Sequence, residues 1–277
     1  MPLTELMNYF NDQLQTQART KSLPKTGFFK VDNSYWGRFG NLILGSRFQP
    51  IHTFANDTLI GHNSDLLVRS ATGNSLDIDS IFNSLDSTDQ IIHLDRLVRT
   101  LHSLNYLQQF DGRKDLLSLQ VQPRHIISVV SDHGKTFEKI LSDCGLGPER
   151  VLLHTRLLDE ATLPHFQQAL ASYRLRGYKI GIHLSESANL DLLLKLGLTP
   201  DVIFADHPAI TTQLLDTPLP ATFDPSLRIL IAAKPKANVP ADVSADVSGI
   251  DTRTSSALDG YLFNTEAPQG LPQAAIS

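Results

Sequence analysis

Beyond residue 46 the chain alternates short apolar runs with longer segments in which apolar residues recur three and four positions apart. That alternation limits the fold more than any other feature, because a run of period two and a segment of period 3.6 cannot exchange roles. Runs at 47–54 and 58–69 read as a hairpin of strands turning near Asn56 and Asp57. Helical patterns follow at 86–108, from Ser131 or Asp132 to Cys144, at 161–176 and at 189–196, with glycines at 145, 177 and 197 as stop signals. Strands are expected at 116–121, 151–155, 178–183, 202–205, 227–233 and 260–263. Repeated strand–helix–strand units of this length point to an α/β fold with a parallel sheet. With 277 residues and no long Pro/Ser/Gly linker, one (β/α) barrel fits better than two domains.

The N-terminus adds a helical extension. Leu3, Leu6, Met7, Phe10 and Leu14 fall on one face of a helix over 3–18, with Thr4 as a candidate cap. Packing against the domain is the simpler role for that face, and dimerisation or docking the sharper one. A connecting stretch from Lys21 to Gly27 follows, so the division expected is 1–40 for helix and linker and 41–277 for the barrel domain. The stretch 241–257, rich in Ala, Asp, Val, Ser and Thr, has weak periodicity and reads as a loop or a poor helix.

Composition excludes several classes. A net charge of −5 argues against a general basic field for nucleic acid, so no direct nucleic-acid binding is expected. The single cysteine, Cys144, cannot form an intrachain disulfide or a cysteine zinc site, which points to a reducing cytoplasm. No secretory segment stands out at the N-terminus, and apolar runs such as 229–233 are too short to span a bilayer, so no membrane partner is expected. No glycine-rich phosphate loop or Gly-x-Ser-x-Gly elbow appears.

Several motifs, in order, resemble those of EAL domains, the cyclic-di-GMP phosphodiesterase family of bacterial signalling. Phe48-Gln49-Pro50-Ile51 resembles the opening signature, and Asp65-Leu66-Leu67-Val68-Arg69 resembles Glu-x-Leu-x-Arg with aspartate for glutamate. Ser118 to Arg124 is similar to the Ser-Val-Asn-x-Ser-Pro-Arg strand, and Leu152 to Arg156 sits where the family has Leu-Glu-x-Thr-Glu. The stretch 175–182 leads to the place of the Asp-Asp-Phe-Gly loop, 201–206 to that of Asp-x-x-Lys-Ile-Asp, and Gly260-Tyr261-Leu262-Phe263 resembles the closing Gln-Gly-Tyr-x-Phe. The series spans roughly residues 45–265 and implies an EAL-type, TIM-like (β/α) barrel.

The resemblance also implies a site at the carboxyl ends of the strands, where two divalent cations, usually magnesium or manganese, activate a water. Residue by residue, that site is altered. Asp65 shortens the first carboxylate and Gln120 replaces an asparagine. Arg156 stands for a glutamate, with His154 two residues earlier on the same strand face. His183 and Leu184 stand for two aspartates, Phe204 for the catalytic lysine, Lys234 for a later glutamate and Asp259 for a glutamine. Magnesium binds only where carboxylates or phosphates offset its dehydration, and Asp65 and Asp206 are roughly what is left.

The expectation is therefore a non-catalytic, EAL-like regulatory protein that needs no cofactor and acts through a protein partner. A second reading is a cyclic-di-GMP receptor that binds without hydrolysis, using Gln49, Arg69 and Asp206. A third is a hydrolase with a re-made site in which Asp65, His154 and His183 hold a metal such as zinc. A homodimer is compatible with all three.

Overall fold

The computed structural model describes residues 2–53, 57–129, 135–205, 209–210, 213–214, 228–233 and 260–263. The chain opens with α1 (Leu3–Lys21), then β1 (Thr26–Val31), β2 (Ser34–Phe39), β3 (Leu42–Thr53) and β4 (Leu59–Arg69). Next come α2 (Ile78–Ser84), α3 (Thr88–Gln109), β5 (Leu116–Gln120), α4 (Pro123–Ser128) and α5 (Lys135–Cys144). They are followed by β6 (Val151–Arg156), α6 (Leu163–Leu175), β7 (Lys179–Leu184), α7 (Ser187–Lys195), β8 (Val202–Ala205), β9 (Arg228–Ala233) and β10 (Gly260–Phe263).

The strands expected from period-two patterning all form. From β4 to β10 each strand runs parallel to its neighbour. β3 is antiparallel to both β4 and β10. The order β3-β10-β9-β8-β7-β6-β5-β4 therefore returns to β3, and the (β/α) barrel is observed. The stop signals also hold: α5 ends where Gly145 takes φ +77°, a left-handed turn that glycine adopts without a Cβ clash. Leu146 then donates its N–H to the Leu141 carbonyl, which ties off the last turn.

Three elements depart from the sequence reading. The stretch 22–40, read as a linker, contains β1 and β2, which extend the sheet from β3. Its Phe28, Tyr35 and Phe39 are buried in alternation against α1 and α3, a pattern broken by Lys30 and Arg38 and so too short to stand out. α2 is a separate short helix before α3, started by Asp77, whose carboxylate accepts the Ser80 N–H at 2.8 Å. α4 follows β5 directly, with Pro123 in its first turn, where a missing N–H costs nothing. The proposed start of α5 at Ser131 or Asp132 lies outside the described residues.

Alternation along each strand separates three cores. Leu117, Leu119, Leu153, Ile180, Ile182 and Ile203 face outward and pack on α3 to α7. Ile51, Leu152, Val202 and Phe204 face inward and fill the lower barrel, with Ile60 against them. The third core joins α1, β1, β2 and the upper ends of β3 and β4 to α3 through Phe10, Leu97 and Leu101. A buried carboxylate ties the outer layer together. Asp95 of α3 accepts bonds from Arg99 and from the Gln122 N–H (2.9 Å), and His125 Nδ1 lies 3.2 Å away. Burial alone would raise its pKa; Arg99, His125 and the amide overcome this and hold it below the usual carboxylate range.

The edge of β1 is closed by α1. Asn11 accepts the Phe28 N–H at 2.6 Å and donates to the Phe28 carbonyl at 2.8 Å, satisfying the groups that point away from β2. Among the described residues β1 pairs only with β2, so this side chain does the work of a missing strand. Asn11→Ala is expected to cost about 1–3 kcal/mol, as buried backbone groups lose both partners. That corresponds to roughly 2–4 °C in Tm per kcal/mol for a chain of this size. Urea unfolding with light scattering checks it; an unchanged midpoint and an unchanged monomer fraction would contradict the edge-blocking role.

Candidate functional site

The carboxyl ends of the parallel strands carry the candidate site, the usual place for chemistry in such barrels. β3 and β4 build one wall. Their ladder pairs Arg47 with Asp65, Gln49 with Asn63 and Ile51 with Gly61. Ile51 is in the inner core, so Gln49, Arg47 and Asp65 share its inward face. Arg47 Nη2 bonds the Asp65 carboxylate at 2.7 Å, and Nε at 3.1 Å. Asn63 Nδ2 adds a third bond at 3.2 Å. Burial raises the pKa of Asp65, while Arg47 and the more distant His183 oppose that rise. The carboxylate is thus occupied by an arginine inside a desolvated wall.

β6, β7 and β8 build the opposite wall. His154 is paired in register with Gln120 on one side and Gly181 on the other. His183 is paired with Arg156 and with Phe204. The two imidazoles meet edge to edge, His154 Nδ1 lying 2.8 Å from His183 Nε2. One nitrogen donates and the other accepts, so the pair is held by a single proton between them. The Phe204 ring lies flat on His183, with centroids 4.4 Å apart and planes 5° from parallel. Gly181 makes room for this trio: a Cβ there would sit 2.8 Å from both His154 Cβ and the Phe204 ring. Burial, then the neighbouring His183, lowers the His154 pKa well below its ordinary value. His154 stays neutral, and its Nε2 has no hydrogen-bond partner among the described residues.

Arg156 reaches outward from the rim. Its Nη2 bonds both oxygens of Asp79 on α2, at 2.8 and 2.9 Å. The two residues line a cleft of about 360 Å³ together with Gln122, Arg124, Ser185 and Glu186. Arg124 is spent on the carbonyls of Phe82 and Leu85, which anchors the end of α2. Glu186 accepts the Asn189 amide in a capping box at the start of α7.

The structure therefore brings Gln49, Asp65, His154, His183 and Phe204 to one inner surface and sets Arg156 at its edge. It does not place Leu184 there. Leu184 is fully buried in the outward-facing core with Leu190 and Leu193, because adjacent strand residues point to opposite faces. Asp65, His154 and His183 do not make a ligand set either: among the described residues, no three His, Cys, Asp or Glu side chains come together in a way that could hold a metal ion. Among the described residues the donors on this surface do not fit a pair of hard cations. Asp206, Lys234 and Asp259 lie outside the described residues.

Arg47 and Asp79, the partners that consume Asp65 and Arg156, were not anticipated. The first was within reach of sequence reasoning, since a hairpin turning at residue 56 sets 47 opposite 65. A further row went unread. Arg38, Ile43 and Arg69 are directly paired across β2, β3 and β4 on the face that continues the inner surface upward. Trp36 lies on the same face, its ring over Gly45. The Arg69 side chain has no hydrogen bond or ion pair among the described residues.

No protein-family model and no curated protein matches the chain. Solved structures do. The Bacillus subtilis YkuI protein, with an EAL domain and in complex with substrate c-di-GMP and calcium, matches at TM-score 0.53 and 16% identity over 79% of this chain and 53% of that one. A standalone EAL protein from Vibrio cholerae O395 in its c-di-GMP-bound form matches at 0.54 and 13%, over 79% and 89%. The Xanthomonas citri FimX EAL domain in complex with c-diGMP matches at 0.54 and 16%, over 79% and 85%. The chain spans about half the length of YkuI. The fold is that of EAL domains, and among the described residues no helix is long and apolar enough to cross a membrane.

The buried histidines set a pH dependence. Burial lowers His93 to about 4 and His102 to about 3, and depresses His154 as well. Each has a folded pKa below its unfolded value of 6.5, so the unfolded chain takes up protons that the folded one refuses. Stability is expected to fall as pH drops from about 6.5 toward 4, by up to about 1.4 kcal/mol per pH unit for each histidine. Asp65, with its raised pKa, acts in the opposite sense over the carboxylate range. Urea midpoints at pH 7, 6 and 5 measure the slope, and His93→Gln should flatten it; a midpoint independent of pH would rule out the neutral buried state.

Proposed function

We propose that this chain is a cytoplasmic regulatory protein of the EAL fold that does not hydrolyse a cyclic dinucleotide with a metal pair and acts through contacts with a protein partner. One observation carries this reading. The inner surface where two cations would need several carboxylates holds Asp65, already bonded to Arg47, and a hydrogen-bonded histidine pair covered by Phe204. Among the described residues of this surface, a dication would meet Asp65, which would first have to release its arginine. Phe204 brings no charge to the reacting phosphate, so among the described residues the groups for metal or lysine chemistry are not assembled. Arg156 adds positive charge at the rim and is itself held by Asp79.

A second reading, binding without hydrolysis, is favoured by the row of Arg38, Ile43 and Arg69 beside Trp36. Arginine recognises a phosphate through paired N–H donors, and an indole offers a face for a base. Gln49 lies lower on the same surface. The three solved structures named above are complexes with cyclic-di-GMP, the natural probe for this site.

Two measurements separate the readings. Incubation with cyclic-di-GMP and either magnesium or manganese is expected to yield no linear dinucleotide above a no-protein control; turnover would overturn the first reading. Calorimetry with the same ligand tests the second. Saturable heat that drops at least tenfold in affinity in Arg69→Ala would sustain it, and no heat at high micromolar ligand would remove it. Partner action is read by affinity capture from the native host, where recovery of no stoichiometric protein counts against it.

A further inference from the structure

A groove of about 120 Å³ lies between α1, β1, α3 and α5. Its walls are apolar: Phe10 and Leu14 from α1, Phe28 from β1 and Ile140 from α5. Arg96 of α3 also lines it. This arginine differs from the others nearby. Arg99 bonds Asp95, Arg124 bonds two carbonyls and Arg176 bonds Glu138, whereas the Arg96 guanidinium has no hydrogen bond or ion pair among the described residues. The adjacent Asp95 is already committed to Arg99 and the Gln122 amide. Thr100, the other polar group from α3, donates its hydroxyl to the Arg96 carbonyl at 2.8 Å.

At the rim, Lys139 bonds Asp143 at 2.9 Å and sits 5.7 Å from the centre of the Tyr9 ring. Those two charges cancel, which leaves Arg96 as the unbalanced one. A partly buried cation against apolar walls is unfavourable: burial and then Arg99 push its pKa down, and Asp95 and Tyr173 offset this only in part. A carboxylate would relieve that cost by accepting two parallel N–H bonds. The size sets the rest of the ligand: a 150 Å³ apolar cavity holds a benzene ring, so about six carbons fill this one.

We propose that this groove is a binding site for a small amphipathic anion, with a carboxylate on Arg96 and a short apolar body against Phe10, Leu14, Phe28 and Ile140. The four elements around the groove include the N-terminal helix, so an occupant bridges α1 to α3 and α5. Occupancy stabilises that layer of the protein without touching the strand-end site.

The probes are sodium hexanoate, hexan-1-ol and sodium acetate at equal ionic strength, titrated into the full chain by calorimetry and thermal unfolding. Hexanoate is expected to bind saturably and to raise Tm with concentration. Hexanol, which lacks the charge, and acetate, which lacks the apolar body, are each expected to bind at least tenfold more weakly. Arg96→Met keeps the aliphatic stem and should lose at least tenfold in hexanoate affinity; Leu14→Trp, which fills the groove, should abolish binding. Circular dichroism of both variants establishes that they fold, and either one suffices. Equal binding of hexanol, unchanged affinity in a folded variant, or no saturable binding of hexanoate overturns the proposal.

Discussion

The antiparallel placement of β3 between β4 and β10 is the constraint on which the rest of this structure depends. Every other neighbouring pair from β4 to β10 is parallel and could continue as an open sheet with two exposed edges. β3 hydrogen-bonds along both of its sides and removes those edges. Its length, 12 residues, lets it serve two layers at once. The lower part contributes Ile51 to the inner core, while the upper part receives β2 and, through it, β1. Its outward face sets Phe48 against Tyr106 and Phe110, which fixes α3 over the strand. The N-terminal layer is therefore an extension of β3, and its one remaining edge is sealed by Asn11.

Charge settlement is the second theme. A lone ion in a desolvated interior is costly, and several charges here find a partner within the chain. Asp65 takes Arg47, Asp95 takes Arg99, and Arg156 takes Asp79. The inner surface settles its histidines in another way, by a hydrogen bond between the two rings under Phe204. What results, among the described residues, is a strand-end surface whose carboxylate Asp65 is already committed to Arg47. Arg96 and Arg69 stand apart as cations without an ion pair among the described residues, and they lie in different layers.

Period and punctuation made most of the barrel legible. Strands β3 to β10 and helices α3, α6 and α7 follow patterns of two and 3.6 that a linear chain displays openly, and glycine at 145 marks a real left-handed turn. β1 and β2 were hidden because short strands interrupted by Lys30 and Arg38 look like a polar connection. α2 and α4, at seven and six residues, are shorter than a helical period needs to reveal itself. For the site, alternation set His154 on the strand face of Arg156, and only the pairing of β6 with β7 brings His183 beside it. The same rule puts Leu184 outside, so treating it as a site position followed motif order where strand geometry governs.

By itself, then, the sequence determined the class of fold, the strand faces and the types of side chain set at the strand ends. Those are properties of local periodicity and of residue type, which need no partner to exist. Only the tertiary structure decided which charges are spent. That Asp65 is held by Arg47, that Arg156 swings to Asp79, that two imidazoles hydrogen-bond beneath a phenyl ring, and that Arg96 is left without an ion pair among the described residues all depend on contacts between residues 18 to 77 positions apart or on the lack of one. Electrostatic energy depends on distance in space and on burial, and neither is written in the order of the residues.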